Sequence, residues 1–301
     1  MALRVALWMA GMVTRAVVGR CGAGKEVGVT GARREPGRTV TSKVVAILRS
    51  FDPAEPELSL HEIAVRTGLP PSTALRLIRE LVEADVLERT STGGYCIGLA
   101  LWRTGELATR ARDLRRSARA AMVDLRNTLH AGVQLALHNG DEVVVLDKIA
   151  PPGTLEPWPA VAAALPLHAT AAGKLLLASL PRDDRRRLLS GKLFRFTPWT
   201  LVAPGLLASG LASVERQGVA TNTDEMHAGW SSVAAYIRSP DGTATASVAA
   251  AVRSSGFDRD RFVGHVKRAA RSTERKLAVL SSAQSTGPKV TTALRPSKHH
   301  F

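Results

Sequence analysis

His61-Glu62 opens the H-E-x-x-H pattern in which two histidines one helical turn apart hold zinc, but Val65 stands where the second histidine is needed. Ala172-Gly173-Lys174 carries the Gly-Lys of a phosphate-binding loop. His168 replaces that loop's first glycine and Leu175 its Ser or Thr, so a nucleotide phosphate has no cradle there. Neither Cys21 nor Cys96 has a base nearby in sequence, and no G-x-S-x-G elbow occurs. Two cysteines also make no disulfide framework or metal ligand set, which points to a reducing cytoplasm. Catalysis, a bound metal and a cofactor are therefore not expected.

Binding chemistry of two kinds remains. In Leu165-Pro166-Leu167-His168-Ala169-Thr170-Ala171-Ala172-Gly173-Lys174, a cap at Thr170 would leave the N–H groups of Ala171, Ala172 and Gly173 as unpaired first-turn donors. Their small side chains would let a carboxylate approach closely. An ordinary capped helix that uses small residues for packing reads the same way. The second kind is nucleic-acid contact. Over 71–84, Ser72, Thr73, Arg76 and Arg79 fall opposite Leu75, Ile78, Leu81 and Val82, and the polar N-terminal half of such a helix suits a major groove.

The elements that must position these residues follow from spacing. Leu60, Ile63 and Ala64 predict a helix over 59–67 behind Ser59 as cap, Gly68 makes the bend, and Pro71 opens the second helix without losing a needed N–H. Residues 86–89, the turn 91–94 and residues 95–97 read as a hairpin, the wing of a winged helix-turn-helix. A helix over 39–51 supports it. Residues 99–129 read as one long helix with Leu107, Ala111, Leu114, Ala118, Ala121 or Met122, Leu125 and Leu129 at threes and fours; a partner-facing seam and packing on its own domain both fit. Beyond it the period changes to that of strands at 133–137 and 143–146 about Asn139-Gly140-Asp141. Helices follow at 170–179, 182–190 and 206–217. Strands are predicted at 218–223, 230–238 and 243–252, with the turn Pro240-Asp241-Gly242 before the last, and a closing helix at 259–280. The fold class is α+β.

The charge of +15 suggests a polyanionic partner until it is located. Residues 39–98 hold six basic and eight acidic side chains, so the presumed reading domain is the acidic part of a basic chain. DNA contact must then depend on Arg76, Arg79 and Arg89 sharing one surface. Residues 1–38 have an apolar run too short to span a membrane and read as a disordered extension or a start assigned too far upstream; 282–301 read as a disordered tail.

Three ordered blocks carry a resemblance to IclR-type bacterial transcription regulators: Leu69 to Leu77 in the winged helix, Leu165 to Ala178, and Gly218-Val219-Ala220 leading through Asp224-Glu225 and Gly229 to Ser232-Val233-Ala234-Ala235. The resemblance spans about residues 39–280. It implies a winged helix-turn-helix DNA-binding domain (39–98), a linker helix (99–113) and a GAF-like effector-binding domain (114–281). It also implies a homodimer or homotetramer on near-palindromic operator DNA, with no membrane partner. The DNA-contacting set is then Ser72, Thr73, Arg76 and Arg79, with Arg89, Thr90, Ser91 and Thr92 of the wing. The family pocket maps onto Ala171, Ala172, Asn222, Ser232, Ser247 and Ala249 beside the capping Thr170, with Trp158 as an apolar wall. Asn222 stands where an acid is common, Ser232 where Cys is common and Ala249 where a hydroxyl is common, which makes this pocket less polar than that of keto-acid sensors. The effector implied is a small organic acid or aromatic metabolite. Two other classes bear on the same residues: an enzyme with an appended winged helix, and an interaction module that has lost DNA binding. His168 reads as a backbone-bonded residue at the helix start, and Asp224 and Glu225 as solvated or fold-holding.

Overall fold

The structure is a computed structural model that describes residues 39–139, 141–150, 159–239 and 241–285. The expectations for 1–38, for Trp158 and for 286–301 lie outside the described residues, as do Gly140 and Pro240 of the two expected turns.

Helix α1 (Val40–Leu48) is capped by Thr39, whose side chain accepts from the Ser42 N–H, and it stops three residues short of its expected end. In α2 (Leu60–Thr67), Ser59 and Glu62 form a reciprocal capping box, and Gly68 leaves the helix at φ 65°, a left-handed turn that glycine adopts without strain. Helix α3 (Pro71–Glu83) buries Ala74, Leu77 and Ile78, with Leu81 and Val82 packed beside them against Ile47 and Ile63. Leu75, expected on that face, is only half-buried and stands outside the cluster. Ala74, Leu77, Ile78 and Leu81 are the true i, i+3, i+4, i+7 set, and they centre the buried stripe one residue away from the expected one. The wing is β1 (Leu87–Arg89) against β2 (Tyr95–Ile97), antiparallel with Leu87 opposite Ile97.

The expected rod over 99–129 is two helices, α4 (Leu99–Gly105) and α5 (Thr109–Leu129). Between them the N–H groups of Leu107 and Ala108 bond to Thr104 O and Gly105 O, three residues back, and Ala108 turns out of the helical region at ψ 89°. Gly105 is a poor helix former at this point. Leu107, assigned to the seam, is 72% exposed in the break. Helix α4 is tied to the wing: the Leu99 N–H donates to Glu88 Oε1 at 2.9 Å and the Ala100 N–H to Asp85 O at 3.2 Å.

Five antiparallel strands follow: β3 (Gly132–Asn139), β4 (Glu142–Ile149), β5 (Val219–Thr223), β6 (Trp230–Arg238) and β7 (Ala244–Arg253), in the order β4-β3-β7-β6-β5. One face is closed by α5 and by α9 (Arg259–Ser285). There Leu114, Ala118, Met122 and Leu125 meet Phe262, Val266 and the inward residues Val133, Leu135 and Val248. The α5 seam therefore packs on its own domain. Helix α9 runs five residues past its expected end at 280, into the segment read as a tail.

The other face carries α6 (Ala171–Ser179), with α8 (Pro204–Gln217) packed on it; α7 (Arg182–Leu189) lies between them in the chain. Because both faces are covered, the central strands are apolar on both sides. A polar residue in them then stands out.

Candidate effector cavity and DNA-reading surface

On α3, Ser72, Arg76 and Arg79 are exposed and Thr73 half-buried. At about 100° per residue, Ser72, Arg76 and Arg79 form one stripe opposite Leu77 and Leu81. Arg76 lies 2.6 Å from Glu80, both more than half exposed, and such a pair is weak enough to yield to a phosphate or base. Arg89, Ser91 and Thr92 are exposed on the wing, with Thr90 half-buried. Thr90 and Thr92 both donate their hydroxyl protons to Glu57 Oε1, the Thr90 contact at 2.6 Å, and these bonds hold the Glu57 carboxyl below its ordinary range. Two of the three wing hydroxyls expected to touch DNA thus already hold an acidic residue, which leaves Arg89 and Ser91 as the wing groups without that competitor.

Beneath the start of α6 lies a cavity of about 80 Å³. Since about 10–15 Å³ on this measure holds one water, there is room for one compact organic molecule. Thr170, Ala171, Ala172, Asn222, Ser232 and Ala249 line it, as the sequence led us to expect. The Thr170 side chain accepts from the Gly173 N–H at 3.0 Å and its hydroxyl donates to Pro166 O at 2.7 Å. This cap occupies one of the three donors expected to face a ligand. Gly173 is small for a different reason: a Cβ there would come within 2.5 Å of the Leu167 backbone. Ala171 and Ala172 keep first-turn N–H groups that have no partner within a helix.

Ser247 does not line the cavity. It is two residues from Ala249 on the same face of β7, but its cross-strand neighbours are Ala136 and Tyr236. The Tyr236 hydroxyl donates to Leu175 O of α6, so the helix covers that row, and Ser247 is fully buried with its Oγ unpartnered. His138, edge-on to Tyr236 at 6.3 Å, is buried in the same region with neither ring nitrogen bonded.

Sequence reasoning missed Gln134, Leu165, Met226, His227, Trp230 and Ala251, which with Pro159 and Ser231 complete the wall. Gln134 left a trace: it is the polar residue within the apolar run 133–137 of β3. Met226 and His227 come from the connection after β5, held by long-range contacts that spacing does not record. Thr197 and Thr200 donate their hydroxyl protons to Asp224 O and Glu225 O, both at 2.7 Å, and Asn222 Oδ1 accepts from the Glu225 N–H at 3.0 Å. Lys174 of α6 pairs with Glu225, and its Nζ also donates to Thr221 O at 3.2 Å. Both side chains are 9% exposed. Burial pushes the Lys174 ammonium below its ordinary value, against the pull of the carboxylate. His168 Nε2 lies 2.8 Å from Phe194 O, the backbone-bonded role read for it, and Asp224 Oδ1 accepts from the Gly229 N–H at 2.6 Å, so it too holds the fold. Burial also lowers the pKa of His227, which keeps its ring neutral at neutral pH. The lining therefore offers neutral donors and one helix N-terminus, suited to a single negative charge. Among the described residues, no three His, Cys, Asp or Glu side chains gather as a metal site, and no helix is long and apolar enough to cross a membrane.

A winged helix-turn-helix ahead of a sheet domain with an internal cavity is the build of a DNA-binding regulator. Family models match both parts: "IclR helix-turn-helix domain" over residues 40–91 and "Bacterial transcriptional regulator IclR C-terminal" over residues 107–275. The chain belongs to the IclR family of bacterial transcriptional regulators. It is 26% identical over 239 residues to the HTH-type transcriptional regulator KipR of Bacillus subtilis, covering 78% of this chain and 95% of that one. To the HTH-type transcriptional repressor AllR of Escherichia coli it is 29% identical over 231 residues, 76% of this chain and 85% of that one. Among solved structures, an IclR homologue of Microbacterium hydrocarbonoxydans complexed with 4-hydroxybenzoate matches with a TM-score of 0.74 at 28% identity, over 80% of this chain and all of that one.

Proposed function

We propose that this regulator binds operator DNA in the cytoplasm as a homodimer or dimer of dimers, and that a small monocarboxylic acid, aromatic in the first instance, binds the cavity and changes its hold on DNA. The observation that carries this reading is the start of α6 opening onto a cavity whose donors are all neutral. The 4-hydroxybenzoate held by the Microbacterium relative supports an aromatic carboxylate. Binding rather than turnover is the favoured role, because both parts of the chain match models of transcriptional regulators. The ligand shifts the balance between DNA-bound arrangements only by its differential affinity for them.

The reader is tested by Arg76→Ala. Loss of a base or phosphate contact is expected to weaken binding to the DNA upstream of its own gene by about 5- to 150-fold, the equivalent of about 1–3 kcal/mol. Fluorescence anisotropy across a salt series measures it, and unchanged binding removes α3 as the reading helix. The switch is tested by Ala171→Asp, which sets a carboxylate against the helix start. We expect this variant to bind DNA as the parent does but to ignore 4-hydroxybenzoate up to at least about 100 times the parent's half-effect concentration. A response that survives places the effector elsewhere.

A further inference from the structure

The amide of Gln134 is the largest unexplained polar group in the cavity wall. Its residue is 7% exposed, it lines the cavity, and its Nε2 has no hydrogen-bond partner. A buried amide without a partner is costly, and native proteins keep one where a ligand or water completes it. We infer that Gln134 is a specificity-determining residue that hydrogen-bonds an oxygen of the ligand remote from its carboxylate. This inference rests on reading the cavity as an organic-acid site.

Sheet geometry sets the two polar ends apart. Helix α6, which begins at Ala171, lies on β5, β6 and β7, in one buried cluster with Ala220, Ala234 and Ala249. Asn222 on β5 faces Ser232 on β6. Gln134 stands on β3, with β7 and β6 between it and β5. Gln134 is level with Ala249, Ala234 and Ala220, so three spacings of about 4.8 Å and an offset of two residues along β5 put the backbones of Gln134 and Asn222 about 16 Å apart. The floor between them is Ala249 and Ala251, and Leu165, Met226 and Trp230 supply the apolar wall. A floor of methyl groups flanked by a donor at each side fits a flat apolar body with a carboxylate at one end and a hydroxyl or carbonyl oxygen at the other. Ligands without that second oxygen leave the amide unpaired, which is how a polar site rejects an apolar isostere.

Calorimetric titration of the full chain with benzoate, 4-methylbenzoate and 4-hydroxybenzoate tests this. The parent is expected to prefer 4-hydroxybenzoate over both others by about tenfold or more. Gln134→Met, close in shape but without the amide, is expected to lose that preference. Equal loss for all three probes would mean that Gln134 holds the carboxylate, and it overturns the inference, as does an unchanged preference in the variant. The parent's discrimination between 4-hydroxybenzoate and the isosteric 4-methylbenzoate needs no variant; its absence overturns the inference even if Gln134→Met does not fold. A parent that binds none of the three overturns the organic-acid reading along with the inference, whereas binding without discrimination overturns the inference alone.

Discussion

Lys174→Met is expected to cost about 3–5 kcal/mol of folding stability, the usual effect of removing one partner from a buried ion pair. Lys174 reaches from α6 to Glu225 at the start of the β5–β6 connection, and Glu225 Oε2 already lacks a partner. Without the ammonium, the whole carboxylate is buried with nothing to balance it. A second substitution, Glu225→Leu, is expected to recover most of the loss, since an apolar pair of similar volume does not carry the cost of burying two charges. Urea unfolding of the parent, both single variants and the double variant measures the cycle. A loss below about 1 kcal/mol in Lys174→Met would show that water reaches Glu225 and that the pair is not a clamp. Ligand affinity is expected to fall with it, because Met226 and His227, the next two residues after Glu225, form part of the cavity wall.

Acid is expected to destabilise the protein well above the range in which carboxylates titrate. Burial, with the Arg110 guanidinium adding to it, pushes His138 down to about 4 from its ordinary 6.5. The unfolded chain therefore binds a proton between these values that the folded chain refuses. Stability from this group is fully present above pH 6.5 and is lost as the pH falls toward 4, by about 2 kcal/mol at pH 5 and about 3 kcal/mol at the lower limit. Burial lowers His168 and His227 as well, so the three act in the same direction. His138→Leu is expected to remove that share of the slope. It removes two ring nitrogens that have no partner, so stability at pH 7 should not suffer from their loss. Urea midpoints at pH 7 and pH 5 for parent and variant check this. An identical slope in both places the titration elsewhere.

What could be read from the sequence was what is encoded locally. The Ser59 cap, the proline that opens α3, the strand pairs β1–β2, β3–β4 and β6–β7, and the Thr170 cap each lie within a short stretch of chain, and all appear in the structure. The errors arose where neighbours in space are distant in sequence. Leu75 and Leu77 are both apolar on α3, and only the positions of Ile47 and Ile63 decide between them. Ser247 and Ala249 share a face of β7, yet Tyr236 and α6 cover one and leave the other open. Lys174 and Glu225 are 51 residues apart, and no periodicity could pair them. Gln134 was legible in principle as the amide in the otherwise apolar run 133–137 of β3.

The break at residues 106–108 changes what kind of machine the chain can be. Helix α4 moves with the wing through its bonds to Glu88 and Asp85, and α5 moves with the sheet through Leu114, Ala118 and Met122. Tight turns from Leu107 to Thr104 and from Ala108 to Gly105 replace the helical ladder between them, and Arg115 of α5 lies 3.5 Å from Glu106 in the joint. The reader and the sensor are therefore joined by a bent, braced elbow, not by one continuous rod that would carry a twist along its own axis.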